Sequence, residues 1–239
     1  MKRFQFIACK VLQREAYLCA ARSKNNIDIV FMEQGLHNQP DDLRRQVQDV
    51  INRTHDKCSN KYDASLLGYG LCSNGIAGLS AQIPIVVPRG HDCVTLLLGS
   101  KDKYKEYFEA HRGVYWYSSG WISTGTMPSK ERYEKNLAEY KEKYGDDNAE
   151  YLMQVEQDWI KEYNWAAYID WDLATSQNDK KYTKACADYL GWKYDEIKGD
   201  PALIQKLLDG QWDDKDFLIV NPGQKIVEDL TTENIIKAE

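Results

Sequence analysis

The chain has 239 residues, enough for one large domain or two modest ones, and a formal net charge of -6. That balance argues against nucleic acid or an anionic membrane as a partner, and every apolar run is far shorter than a bilayer span. The N-terminus, Met1-Lys2-Arg3-Phe4, enters a strand without a signal-peptide core, so the expected location is the cytoplasm. The six cysteines contain no CxxC pair. In a reducing compartment, clustered cysteines bind metal or do thiol chemistry more often than they form disulfides.

Phe4 to Cys9 reads as a buried strand, and a helical pattern follows through Val11, Leu12, Ala16 and Cys19. A second strand, Ile27 to Met32, ends in Glu33-Gln34-Gly35-Leu36-His37. Pro40-Asp41-Asp42 then opens a helix with Leu43, Val47, Val50 and Ile51 on one face, its acidic first turn suiting the helix dipole. A third strand ends in Gly68-Tyr69-Gly70-Leu71-Cys72-Ser73-Asn74-Gly75. This looks like a strand running through a tight turn into a short helix over Ile76 and Leu79, with Ser73 or Asn74 as its cap. Ile83 to Pro88 repeats the pattern and ends in Arg89-Gly90-His91-Asp92-Cys93, before a helix from Val94 to His111. Gly113 to Tyr117 is a fifth strand, ending in Ser118-Ser119-Gly120-Trp121.

Residues 129–163 are rich in Glu, Lys and Tyr and read as two helices parted near Gly145, an insert serving as a lid, a dimer arm or a connector. Strands at 166–173, 192–197 and 217–220 alternate with helices at 180–190 and 202–208. The implied architecture is α/β: a doubly wound, Rossmann- or flavodoxin-like, largely parallel sheet over 1–128, the helical insert 129–163, and a smaller βαβαβ part over 164–239. Whether that last part joins the first sheet stays open.

Ligands of such sheets bind beyond the carboxyl ends of the strands, where strand order reverses. In the order 2-1-3-4-5, Cys9, Cys72 and Cys93 come from three adjacent strand ends. With His91 they make a ligand set for zinc or for a [4Fe-4S] cluster with one open iron. His37, Glu33 and Asp92 on the same rim are candidate acid–base groups, Asp92 also as an orienting partner of His91 or as a helix cap. Gly70, Ser73, Asn74 and Trp121 are candidates to contact a cofactor. Each cysteine alone reads more readily as a small core residue, and only the three together make the case for a site. Cys19 and Cys186 fit core packing, Cys58 a surface thiol, His55 a solvated side chain and His111 a helix-terminal cation. No P-loop, GxGxxG, GxSxG or HExxH is present.

Ile7-Ala8-Cys9, Gly35-Leu36-His37-Asn38, Gly70 to Gly75, Pro88 to Cys93 with Leu98-Gly99-Ser100, Tyr117-Ser118-Ser119-Gly120-Trp121 and Gly210-Gln211-Trp212 together resemble one family. It is catalogued as a domain of unknown function, found mainly in anaerobic bacteria and methanogenic archaea and often encoded beside corrinoid-dependent methyltransferases. Ser118-Ser119 departs from the Thr-Pro expected there, away from the cysteines. The resemblance covers most of the chain outside 129–163 and supplies no reaction. It implies a setting of anaerobic one-carbon metabolism, in which a metal-dependent enzyme of methyl transfer or of lyase type is one reading. A non-catalytic carrier of a metal or corrinoid, serving methyltransferase partners, is another. A third is a small-molecule binding domain with structural cysteines, in each case as monomer or homo-oligomer.

Overall fold

The computed structural model describes residues 1–57 and 62–239. In chain order its elements begin with β1 (Arg3–Cys9), α1 (Gln13–Arg22), β2 (Asn26–Met32), α2 (Pro40–Lys57), β3 (Ala64–Gly68) and β4 (Ile85–Pro88). Next come α3 (Cys93–Leu98), α4 (Lys101–Ala110), β5 (Val114–Tyr117), α5 (Ser119–Thr124), α6 (Lys130–Tyr144) and α7 (Asp146–Gln157). The last are β6 (Trp165–Asp170), α8 (Ser176–Leu190), β7 (Lys193–Lys198), α9 (Ala202–Asp209), β8 (Phe217–Val220), β9 (Ile226–Asp229) and β10 (Ile235–Ala238). The chain forms two compact units, Met1–Lys105 with Gly199–Glu239, and Glu106–Lys198.

The first unit holds a five-stranded sheet in the order β2-β1-β3-β4-β8. The first four strands are parallel and β8 is antiparallel to β4. β3 and β4 are buried at every residue, and β1 from Phe4 to Cys9, as continuous apolar runs demand of parallel strands covered on both faces. Leu43, Val47 and Ile51 of α2 are fully buried at the predicted spacing, and Leu203, Ile204, Leu207 and Leu208 of α9 form a second apolar stripe, α9 packing against α1, β3 and β4. The chain passes from β1 to β2 on one side and then returns to β3 on the other. The strand order therefore reverses between β1 and β3, as expected, but the fifth position goes to β8, while β5, expected in the sheet of 1–128, pairs with β6 in a separate sheet.

The second unit is built on a parallel sheet in the order β5-β6-β7. Tyr117, Met127, Ala166, Tyr168, Cys186, Ala187 and Trp192 make its core, with Trp121 packed against it. The segment 129–163 lies within this unit. Its two helices part at Gly145, as composition suggested, and Arg132 on α6 meets Glu156 on α7 at 2.7 Å.

Three local expectations are corrected. No helix follows Cys72; residues 72–78 form turns instead. The helix expected over 94–111 is two helices broken at Gly99, which takes φ 73° where the Asp200 backbone oxygen would lie 2.8 Å from an added Cβ. The C-terminal βαβαβ series is divided: β6 and β7 pair with β5, whereas β8 closes the edge of the first sheet, and an unforeseen hairpin, β9–β10, follows. Among the described residues no helix is long and apolar enough to cross a membrane.

Candidate thiol site

β1, β3 and β4 are neighbours, so their carboxyl ends deliver three loops to one edge of the first sheet. Cys9 is the last residue of β1 and precedes a 3-10 turn at 10–12. Cys72 follows β3 by way of Tyr69-Gly70-Leu71, and Cys93 opens α3 after β4. The second and third loops are zipped together beyond the sheet. Leu71 N–H donates to the Gly90 carbonyl at 2.7 Å, and Cys72 N–H to the His91 carbonyl at 2.8 Å. Glycine at position 70 makes this approach possible, because a Cβ there would meet Asp92 N and Gly90 O at 2.6 Å.

Beyond Gly70 the backbone turns left-handed for three successive residues that are not glycine: Cys72, Ser73 and Asn74, at φ 48°, 55° and 65°. Most side chains disfavour this conformation by about 1–2 kcal/mol per residue, and it persists only where the surroundings over-determine it. Here they do. Arg44 donates to the Asn74 carbonyl at 2.9 Å, and Asn74 Nδ2 donates to Glu228 of β9 at 3.1 Å. Gly78 N–H is held by the Ile226 carbonyl at 2.7 Å. The turn thus sets Cys72 directly, without the helix dipole that a cap reading of Ser73-Asn74 had implied.

The three thiols lie within electrostatic reach of one another. Cys9 and Cys72 are each 7% exposed. Burial pushes the Cys9 thiol above its ordinary range, with the Glu33 carboxylate adding to the effect, while the Val11 and Lys10 N–H groups act against it. Cys72 is pushed up further by burial and by Asp92 and Cys9, against the N–H groups of Gly70 and Cys93. Cys93 is raised by burial and then by Cys72, Cys9 and Asp92, against its own N–H. Each sulfur therefore has backbone donors supporting its anionic form, yet each suppresses the ionisation of its neighbours. A cation among them would reverse that second effect.

One further group belongs to this cluster and was missed in the sequence. Tyr69 is 3% exposed, its hydroxyl has no hydrogen-bond partner among the described residues, and it lies within electrostatic reach of Cys9, Cys72 and Cys93. A tyrosine between two glycines at the end of an apolar strand reads as core. Only its unpaired oxygen distinguishes it.

The rim residues separate into different roles. Asp92 is the cap of α3: its carboxylate accepts from Val94 N–H at 2.9 Å and from the Tyr104 hydroxyl at 3.2 Å. His91 is exposed and lines a cleft of about 410 Å3 together with Leu71, Thr95 and Tyr104, opposite Glu228, Asp229 and Leu230 of the hairpin region. Glu33 is 75% exposed and engaged by Lys10 Nζ at 2.9 Å. His37 stands exposed in a 3-10 turn after β2. Ser73 and Asn74 are exposed on the left-handed turn. Trp121 lies in the second unit against that unit's core, as does Cys186, while Cys19 is buried on α1 in the first unit. His111 follows α4, with Nδ1 3.1 Å from the Tyr107 carbonyl. Cys58 lies outside the described residues, and so does the side chain of His55.

Three sulfurs suit a thiophilic ion such as zinc or iron by their chemistry. As they stand, no group of three or more His, Cys, Asp or Glu side chains among the described residues is arranged to hold a metal ion. The donors are thus collected and oriented by the backbone without being closed into a coordination shell. Comparison with curated proteins and with solved structures returns no match. A family profile does match residues 31–208, most of the chain, so the protein belongs to the family described as "Protein of unknown function (DUF1638)".

Proposed function

We propose that the carboxyl edge of the first sheet is a metal–thiolate centre of an enzyme handling methyl or other one-carbon groups, in a doubly wound, flavodoxin-like arrangement. Cys9, Cys72 and Cys93 supply the sulfurs. The observation that carries this reading is the convergence of three thiols from three adjacent strand ends, each with backbone N–H groups supporting its anion, beside the point where strand order reverses. The one-carbon substrate class rests on the family resemblance alone.

A bound zinc ion, or the open iron of a cluster, would supply Lewis acidity at this edge. The chain's own contribution is positioning. The zipped 70–72 and 90–92 loops fix two cysteines relative to each other, and Asp92 is committed to capping α3, so it holds Cys93 rather than reacting. His91, exposed in the adjoining cleft, is the residue placed to exchange a proton with a substrate entering there.

Metal and sulfide analysis of protein purified without oxygen tests this. One zinc, or a full complement of iron and sulfide, is expected per chain in the wild type. Cys72→Ser should lose it while the melting curve is retained, and Cys186→Ser, in the second unit's core, should keep it. Equal metal content in the two variants, or none in the wild type, rules the centre out.

A further inference from the structure

We propose that Tyr69 is a positioning residue of the thiol centre, its hydroxyl donating a hydrogen bond to an electronegative atom of a small ligand held at Cys9, Cys72 and Cys93. The inference rests on the metal–thiolate reading and adds to it a named donor and the kind of atom that donor recognises. Buried hydroxyls in folded proteins are nearly always paired, because an unpaired one forfeits its bonds to water without return. Tyr69 is 3% exposed, and its oxygen has neither solvent nor a partner among the described residues. The three thiols lie within electrostatic reach of it. When those sulfurs bind an ion they become acceptors, as is any anion or polarised oxygen on the ion, and the Tyr69 hydroxyl can turn its hydrogen toward either.

The surrounding backbone keeps the hydroxyl there. Tyr69 lies between Gly68, which packs against Ala8 and Phe6 of β1 so closely that a Cβ would fall 2.5 Å from Ala8, and Gly70, closed against 90–92. Position 69 therefore cannot shift to find another partner without opening the strand end or the zipped loops. A purely structural tyrosine at such a place would lose nothing by becoming phenylalanine. A ligand-contacting one would lose affinity for the ligand and nothing else.

Cobalt(II) serves as the spectroscopic probe and azide as the small acceptor ligand. The full-length protein is loaded with cobalt, thiolate-to-cobalt absorption is recorded, and azide is titrated into the wild type and Tyr69→Phe. Both proteins are expected to show the thiolate–cobalt bands and the same apo melting behaviour or better, with azide binding about tenfold or more weaker in the variant. Equal azide affinity overturns the role of Tyr69 while leaving the centre standing. Loss of the cobalt bands in Tyr69→Phe alone, with a wild-type melting curve, assigns the residue to metal retention and likewise overturns the ligand contact. Absence of the bands from the wild type removes the metal–thiolate reading, and the role of Tyr69 falls with it.

Discussion

At the scale of single residues, the first unit carries a buried carboxyl group that the thiol edge does not use. Glu15 on α1 is 1% exposed with one carboxylate oxygen unpaired, and burial pushes its pKa up to about 7, against its own backbone N–H and Arg14. Below the ordinary carboxylate range both folded and unfolded chains hold this proton, and nothing is lost. From about 4.5 to about 7 the unfolded chain releases a proton that the folded chain keeps, so stability falls with rising pH. The loss amounts to about 3 kcal/mol and is complete above the folded value. Glu15→Gln should flatten urea-derived stability across that window and converge with the wild type near pH 4. Because the new amide also needs partners, the slope is the diagnostic quantity. An unchanged slope would show that Glu15 is ionised in the folded chain. Glu15 stands in the first turn of α1, where an acidic group suits the helix dipole, and that position says nothing of its burial.

At the scale of elements, the strands of the thiol edge were legible because parallel strands are continuous apolar runs, and β1 stops at Cys9, β3 at Gly68 and β4 at Pro88, just before Arg89-Gly90. The turn after β3 was not. Ser, Asn and Gly favour helix caps and left-handed turns alike, and the choice is made by contacts distant in sequence: Arg44, Glu228 and the 90–92 backbone. β8 offered no direction in its four residues, and β9–β10 was too short for alternation to register. Two substitutions separate the turn's two constraints. Gly70→Ala forces a Cβ onto backbone atoms at 2.6 Å that have no rotamer to yield, so it should cost about 1–3 kcal/mol and uncouple Cys72 from Cys93. Ser73→Gly relieves φ 55° at an exposed position and should be neutral or stabilising by up to about 1 kcal/mol. Denaturant melts of both, with thiol accessibility to a maleimide reagent, check this. Faster labelling of Cys72 is expected in the alanine variant alone, and equal labelling would mean the zipped backbone does not govern the site.

At the scale of the whole molecule, composition located a change of texture at 129–163 but could not say which strands would pair, because pairing is decided by the faces the strands present. The outcome is a first unit made of two chain segments, with Glu106–Lys198 running as one continuous excursion between them. The returning chain lands close to where it left: Asp200 N–H donates to the Leu97 carbonyl at 3.1 Å, and the Asp200 side chain and backbone oxygen crowd Gly99. Lys105 is only about six helical residues, roughly 9 Å, beyond that junction, so a short flexible linker can reconnect Lys105 to Gly199. The rejoined chain keeps the five-stranded sheet, the β9–β10 hairpin, Tyr104 with its bond to Asp92, and all three strand-end cysteines. Replacing 106–198 by about eight Gly/Ser residues should therefore yield a protein that melts in one cooperative transition and binds cobalt through thiolates to the extent that the full chain is expected to. A chain that lacks a cooperative transition would show that the two units fold only together. A cooperatively folded chain that has lost cobalt binding would show instead that the second unit contributes to the thiol edge, and the site would have to be sought with both units present.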